Sequence, residues 1–126
     1  MKLLSGIRVL DLTNVLSGPF ATLHLSLLGA EVIKIENPTG GDLARALGCL
    51  SALNTKQMGT SFLAQNANKK SVTLNLKDPQ AKEIFKRLVK TADVIVENFR
   101  PDVMSRLGLG YKVLSEINPQ IIYCAI

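Results

Sequence analysis

Residues 7–36 read IRVLDLTNVLSGPFATLHLSLLGAEVIKIE, and the order of residue types in this stretch decides the fold. Ile7, Val9, Leu10 and Leu12 make a short run too apolar to face water on either side, the pattern of a strand in a sheet covered on both faces. Ser17-Gly18-Pro19 stops it, and Pro19 suits the first position of a helix, where its missing N–H is not needed. Phe20, Leu23, Leu27 and Leu28 recur at helical spacing as the expected core face before Gly29 supplies a stop, and Val32, Ile33 and Ile35 resume as a strand. Two buried strands joined by a helix of that length are parallel, with a right-handed crossover. Ligands of such units collect outside the carboxyl ends of the strands, here Thr13 to Pro19 and Glu36 to Asp42.

With 126 residues, 47% of them apolar, the chain is long enough to bury one core without staples. No apolar run approaches the ~20 residues needed to cross a bilayer, and the N-terminus lacks a signal peptide's apolar core, so a cytoplasmic protein without a membrane partner is expected. Cys49 and Cys124 lie far apart and without metal-ligand spacing, which favours two reduced thiols over a disulfide or a metal site. The net charge of +5 invites a polyanion, but aromatic residues are 5% and Trp is absent, so the interleaved pattern of a nucleic-acid surface is missing and no nucleic acid is expected. Lys82, Lys86, Arg87 and Lys90 fall on the wet side of a helix whose expected dry side is Ala81, Ile84, Phe85 and Leu88. Lys69, Lys70, Lys77, Arg100 and Arg106 remain, near strand ends and turns, and suit a compact phosphorylated ligand.

Beyond the second strand, Asp42 is placed to cap a short helix through Arg45 and Leu47. Gly48 to Thr60 has no period and reads as a mobile surface loop, and Phe62 to Gln65 as a helical turn. Ser71 to Leu76 alternates at period two, a strand with a wetter face near a sheet edge. Asp78-Pro79 opens a helix to about Lys90, and Ala92 to Val96 is another buried strand, ending at Glu97-Asn98-Phe99. Short helices follow at 101–107 and 111–117, and Ile121 to Ile126 is a strand in which the sequence ends, as expected for a fragment of a longer polypeptide. The alternation predicts an α/β class with a Rossmann-like, mostly parallel sheet of four or five strands.

A dinucleotide site fits this architecture, with Glu36 where a ribose-binding acid would lie, but the turn from Thr13 to Phe20 has one glycine where the fingerprint needs three. His24, the one histidine, shares the helical face of Phe20, Leu23 and Leu27 and is read as a packed core residue. Asp11, Glu36, Asp42, Asp93 and Glu97 sit at strand ends or turns and are read as ion-pair or capping groups. Asn98, Phe99 and Arg106 bring an amide, an aromatic face and a guanidinium within reach of one another. They either hold an adenine ring and a phosphate or act as helix caps with a surface arginine.

Seven blocks carry a resemblance: Leu4–Thr13, Ser17–Pro19, Leu28–Glu36, Gly40–Asp42 with Arg45, Asn68–Lys77, Ala92–Pro101 and Arg106–Tyr111. In this order and spacing they resemble the N-terminal part of the class III CoA-transferases, the group that includes formyl-CoA transferase, carnitine CoA-transferase and alpha-methylacyl-CoA racemase. The resemblance implies that residues 1–126 form an incomplete CoA-binding α/β domain of a larger interlocked homodimer. It implies CoA contacts at Leu74, Lys77, Asn98, Phe99, Arg106 and Leu107, and places the turn at Asn14–Ser17 near the thioester. Asn14 and Leu16 stand where formyl-CoA transferase has a histidine and a glutamine, and Asn37 replaces an arginine that meets CoA there. These departures point away from a formyl or oxalyl substrate. The family's reaction moves CoA from an acyl-CoA to a free carboxylic acid, with CoA as a substrate moiety and no permanently bound cofactor. An aspartate attacks the thioester; by the resemblance it lies beyond residue 126, so no catalytic residue is assigned here and the piece alone is expected to be inactive. A racemase-like enzyme and a non-enzymatic nucleotide-binding module are the alternatives.

Overall fold

The structure, a computed structural model, describes residues 2–126. Five strands, β1 (Arg8–Asp11), β2 (Glu31–Glu36), β3 (Lys70–Thr73), β4 (Val94–Glu97) and β5 (Ile122–Ala125), form one sheet in the order β3-β2-β1-β4-β5. Every pairing is parallel, with Leu10 beside Ile33 on one side and Ile95 on the other. β1 is therefore central, and the order reverses across it. All carboxyl ends open on one edge, where the crevice between β1 and β4 is the natural ligand position.

The helices are α1 (Ser17–Leu27), α2 (Ser51–Thr55), α3 (Thr60–Asn66), α4 (Pro79–Val89), α5 (Val103–Arg106) and α6 (Tyr111–Ile117), with a 3-10 turn at Leu43–Ala46. One sheet face carries the main core, in which Leu10, Leu12 and Ile95 meet Phe85 and Val89 of α4, Met104 of α5 and Leu114 of α6. On the other face a smaller cluster of Val9, Val32 and Val96 packs with Leu25 of α1.

α4 begins where its signals place it: the Asp78 carboxylate accepts the Gln80 N–H at 2.7 Å and Pro79 opens the helix. Its dry side is Ala81, Phe85, Leu88 and Val89, whereas Ile84, expected there, lies at the rim of the stripe and is 45% exposed. β3 occupies a sheet edge, as its alternation predicts. The loop expected at 48–60 contains α2, which has no buried residue and so no apolar stripe to betray it. Pro19 is the third residue of α1, because the helix starts at Ser17.

The larger correction concerns the face of α1. Its buried residues are Gly18, Pro19, Thr22 and Ser26, while Phe20 and Leu27 are more than half exposed. His24 is likewise exposed rather than packed in the core, edge-on to Phe20 at 4.5 Å. One cause is close approach at the start of the helix: a Cβ on Gly18 would lie 2.3 Å from the Thr13 side chain, so no larger residue fits at that position. The Thr22 hydroxyl is also needed there, donating to the buried Asp11 carboxylate at 2.6 Å.

Candidate functional site

At the carboxyl edge of the sheet, a cleft of ≈ 220 Å³ is lined by the turn after β1 (Leu12, Asn14), the end of β2 (Ile35, Glu36, Asn37), the segment after β3 (Leu74 to Lys77), Phe99 after β4, Val103 of α5 and Leu107, which caps that helix. A second, more open cleft of ≈ 520 Å³ adjoins it, lined by Asn14 to Ser17 and Asn98 to Arg100. Asn14 and Phe99 belong to both. Of the nine residues singled out from the sequence, Asn14, Asn37, Leu74, Lys77, Phe99 and Leu107 thus share the first cleft, and Leu16 and Asn98 lie in its neighbour. Arg106 is exposed on α5 and lies outside both linings, although Val103, one turn before it, and Leu107, next to it in sequence, reach the first.

Two of the basic residues expected to meet a phosphate are otherwise engaged. Lys70 pairs with Glu31 on the surface. Lys69 is buried beneath α1, where its three N–H groups are shared among Asp11 Oδ2, Pro19 O, Thr22 Oγ1 and Asn66 Oδ1, all at 2.8–2.9 Å. Burial pulls the Lys69 ammonium below its ordinary value, against the opposing attraction of Asp11. Burial pushes the Asp11 carboxyl up, but Lys34, Lys69 and the hydroxyls of Thr13 and Thr22 together hold it below its usual range.

A charge in the middle of an apolar strand must be paired, and Lys34 of β2 is fully buried. Its ammonium donates to Thr13 O at 2.7 Å and sits 2.9 Å from Asp42 Oδ2. Asp42 in turn caps the 3-10 turn at Ala44 N–H and accepts the Val15 N–H at 3.0 Å. Glu36, weighed from the sequence as a ribose acid, is occupied: Arg45 reaches it with two nitrogens at 2.7 Å, and Ser71 Oγ and Asp42 N–H donate to it as well. The Arg45 guanidinium stacks 3.8 Å over Phe62. Asp93 accepts the Arg8 N–H, and Glu97 accepts from Phe99 N–H and Tyr123 OH. All five acidic residues therefore serve the scaffold. Sequence reading missed Lys34, and its one signal was a lysine between Ile33 and Ile35.

The cleft offers apolar walls, the Phe99 ring, the Asn14 and Asn37 amides and the Lys77 ammonium, a set that fits an aromatic ring beside an anionic group. No helix among the described residues is long and apolar enough to cross a membrane.

Known proteins share the sequence and the fold. A family model described as CoA-transferase family III matches residues 4–126. Succinyl-CoA:glutarate CoA-transferase of Mus musculus is 52% identical over 126 residues, covering 100% of this chain and 28% of that protein. Formyl-CoA:oxalate CoA-transferase of Rhodopseudomonas palustris is 45% identical over 125 residues, covering 99% and 29%. The crystal structure of a hypothetical protein, Rv3272, from Mycobacterium tuberculosis is similar with a TM-score of 0.89 and 46% identity, over 99% of this chain and 33% of that one. The chain spans less than a third of the length of these curated relatives.

Proposed function

The chain belongs to CoA-transferase family III, and from that premise we propose that residues 1–126 form the CoA-binding part of an enzyme that moves CoA from an acyl-CoA thioester to a free carboxylic acid. The observation that carries this reading is the cleft at the switch of strand order, where the segments after β1, β2, β3 and β4 converge on Phe99 and Lys77. In this reading the adenine lies against Phe99 and the Leu74 and Leu107 walls, and Lys77 pairs with a phosphate. Asn37 borders the same cleft, and the pantetheine arm runs toward the turn at Asn14–Leu16 in the neighbouring one. Transfer proceeds through an aspartyl intermediate whose carboxylate lies in sequence beyond Ile126, in a homodimer. Among the residues present here, the work is binding and orientation.

Titration calorimetry with CoA, NAD and duplex DNA tests the reading: CoA is expected to bind selectively, and a response to DNA that vanishes with added salt would mark simple charge attraction. Lys77→Ala is expected to weaken CoA binding by ~1–2 kcal/mol, the loss of one charge-assisted hydrogen bond. Arg106→Ala is expected to cost the same order, because the resemblance implies a CoA contact at Arg106, one turn beyond Val103 of the cleft wall. Unchanged affinity in both variants would refute the placement of the phosphates. Once paired with its acyl substrate, the complete enzyme should transfer CoA without exchanging deuterium at the α carbon; exchange there would identify a racemase instead.

A further inference from the structure

Val15 has a φ of 70°, the left-handed region, where a β-branched side chain is strained. Around it, side chains from distant parts of the chain take up the backbone groups of the turn. Asn98 Oδ1 accepts the Asn14 N–H and Asn98 Nδ2 donates to Asn14 O, both at 2.8 Å. Asp42 accepts the Val15 N–H, and Lys34 donates to Thr13 O. The Gln65 amide of α3, with its nitrogen turned toward the turn, donates to Val15 O at 2.7 Å and Leu16 O at 3.2 Å. Lys34 pins Asp42 in its turn. The result is a strained turn at the meeting of two clefts, with Val15 and Leu16 held out to solvent at 40% and 59% exposure.

We propose that Asn98 is a positioning residue: it acts on the ligand through this turn, by holding Asn14–Val15 in its strained form together with Asp42 and Gln65, and not by a contact of its own. Asn98 Oδ1 and Nδ2 each make a hydrogen bond to the Asn14 backbone, which fixes the amide on the turn. The strained turn fixes where Asn14 and Leu16 stand, and so shapes the end of the site that receives the acyl group. This rests on the CoA reading above for the identity of the ligand, and on geometry alone for the clamp.

Glycine adopts a positive φ without strain, which supplies the test. Amide hydrogen exchange over residues 13–17 and CoA titration are measured for the native chain, Asn98→Ala, Val15→Gly and the double variant. With Val15 present, Asn98→Ala is expected to speed exchange and to weaken CoA binding, each by about tenfold, as the strained turn relaxes. In the Val15→Gly background the same substitution is expected to change either quantity by less than about twofold, a non-additivity that a direct contact does not produce. Equal losses of affinity in the two backgrounds, with exchange unaltered, would overturn the proposal and make Asn98 a ligand contact. If Asn98→Ala does not fold, Gln65→Ala replaces it in the same cycle, with the same pattern expected and the same pattern of equal losses overturning it. An exchange cycle that behaves as expected in a chain that ignores CoA would uphold the clamp and sink the CoA reading.

Discussion

Replacing Lys34 by methionine is expected to lower the unfolding free energy by about 3–5 kcal/mol, the range for breaking a buried ion pair from one side. Methionine matches the length of the lysine stem and keeps the strand apolar, so the loss is electrostatic. Asp42 Oδ2 would be left buried without its cation, Thr13 O without its donor, and Asp11 without one of the two cations that hold it ionised. Urea unfolding checks this, with an unchanged dependence on denaturant showing that the same surface is exposed. Adding Asp42→Asn should cost much less than it does alone, because the orphaned charge is already gone. A loss below about 1 kcal/mol for Lys34→Met would place the lysine among ordinary surface pairs and refute the buried network.

Acid should reveal a second large term. Burial alone would raise the Glu36 carboxyl, but two hydrogen bonds from Arg45, one from the Asp42 backbone, one from Ser71 and the charge of Arg45 outweigh it and hold the group at about 2. A carboxyl lowered in the folded state binds its proton more readily when unfolded. Its contribution is therefore fully present above the ordinary glutamate value of 4.5 and is lost as pH falls toward about 2. The lost stability is on the order of 3 kcal/mol. Unfolding free energy measured from pH 7 to pH 2 should fall steeply in the native chain and more gently in Glu36→Gln, whose remaining slope comes in part from Asp11, shifted in the same direction. Parallel curves would show that Glu36 is not ionised inside its ring of donors.

What the sequence conveyed depended on which force set each element. Strands buried on both faces announce themselves by composition alone, and β1, β2, β4 and β5 stand where their apolar runs are, as does α4 behind its Asp78 cap. α1 was misread in orientation because apolar spacing marks a core face only when burial of hydrocarbon decides the packing. Beneath α1 the deciding need was to satisfy Asp11 and Lys69, and Thr22 and the backbone oxygen of Pro19 do that where leucine could not. α2 was invisible for a related reason, since it buries nothing. The cleft was legible as a set of strand-end residues because a parallel sheet gathers those ends on one edge. Who touches whom there was not, because the partners of Asn14 and Val15 are Asn98, Asp42 and Gln65, far off in sequence and joined only by folding.

The central place of β1 also sets a timetable. β1, α1 and β2 are neighbours in sequence and can associate as soon as they exist, but β1 meets β4 only after the chain has closed a loop spanning 85 positions, the separation of Arg8 and Asp93 where the two strands first join. Contacts so remote form late and slow the search. Trimming Ile95 to valine should thus hasten unfolding while leaving the folding rate nearly untouched, and a matching fall in the folding rate would put the β1–β4 junction in the nucleus instead. On that expectation a newly made chain owns much of its sheet before it can hold a ligand, because the binding crevice needs the β1–β4 junction.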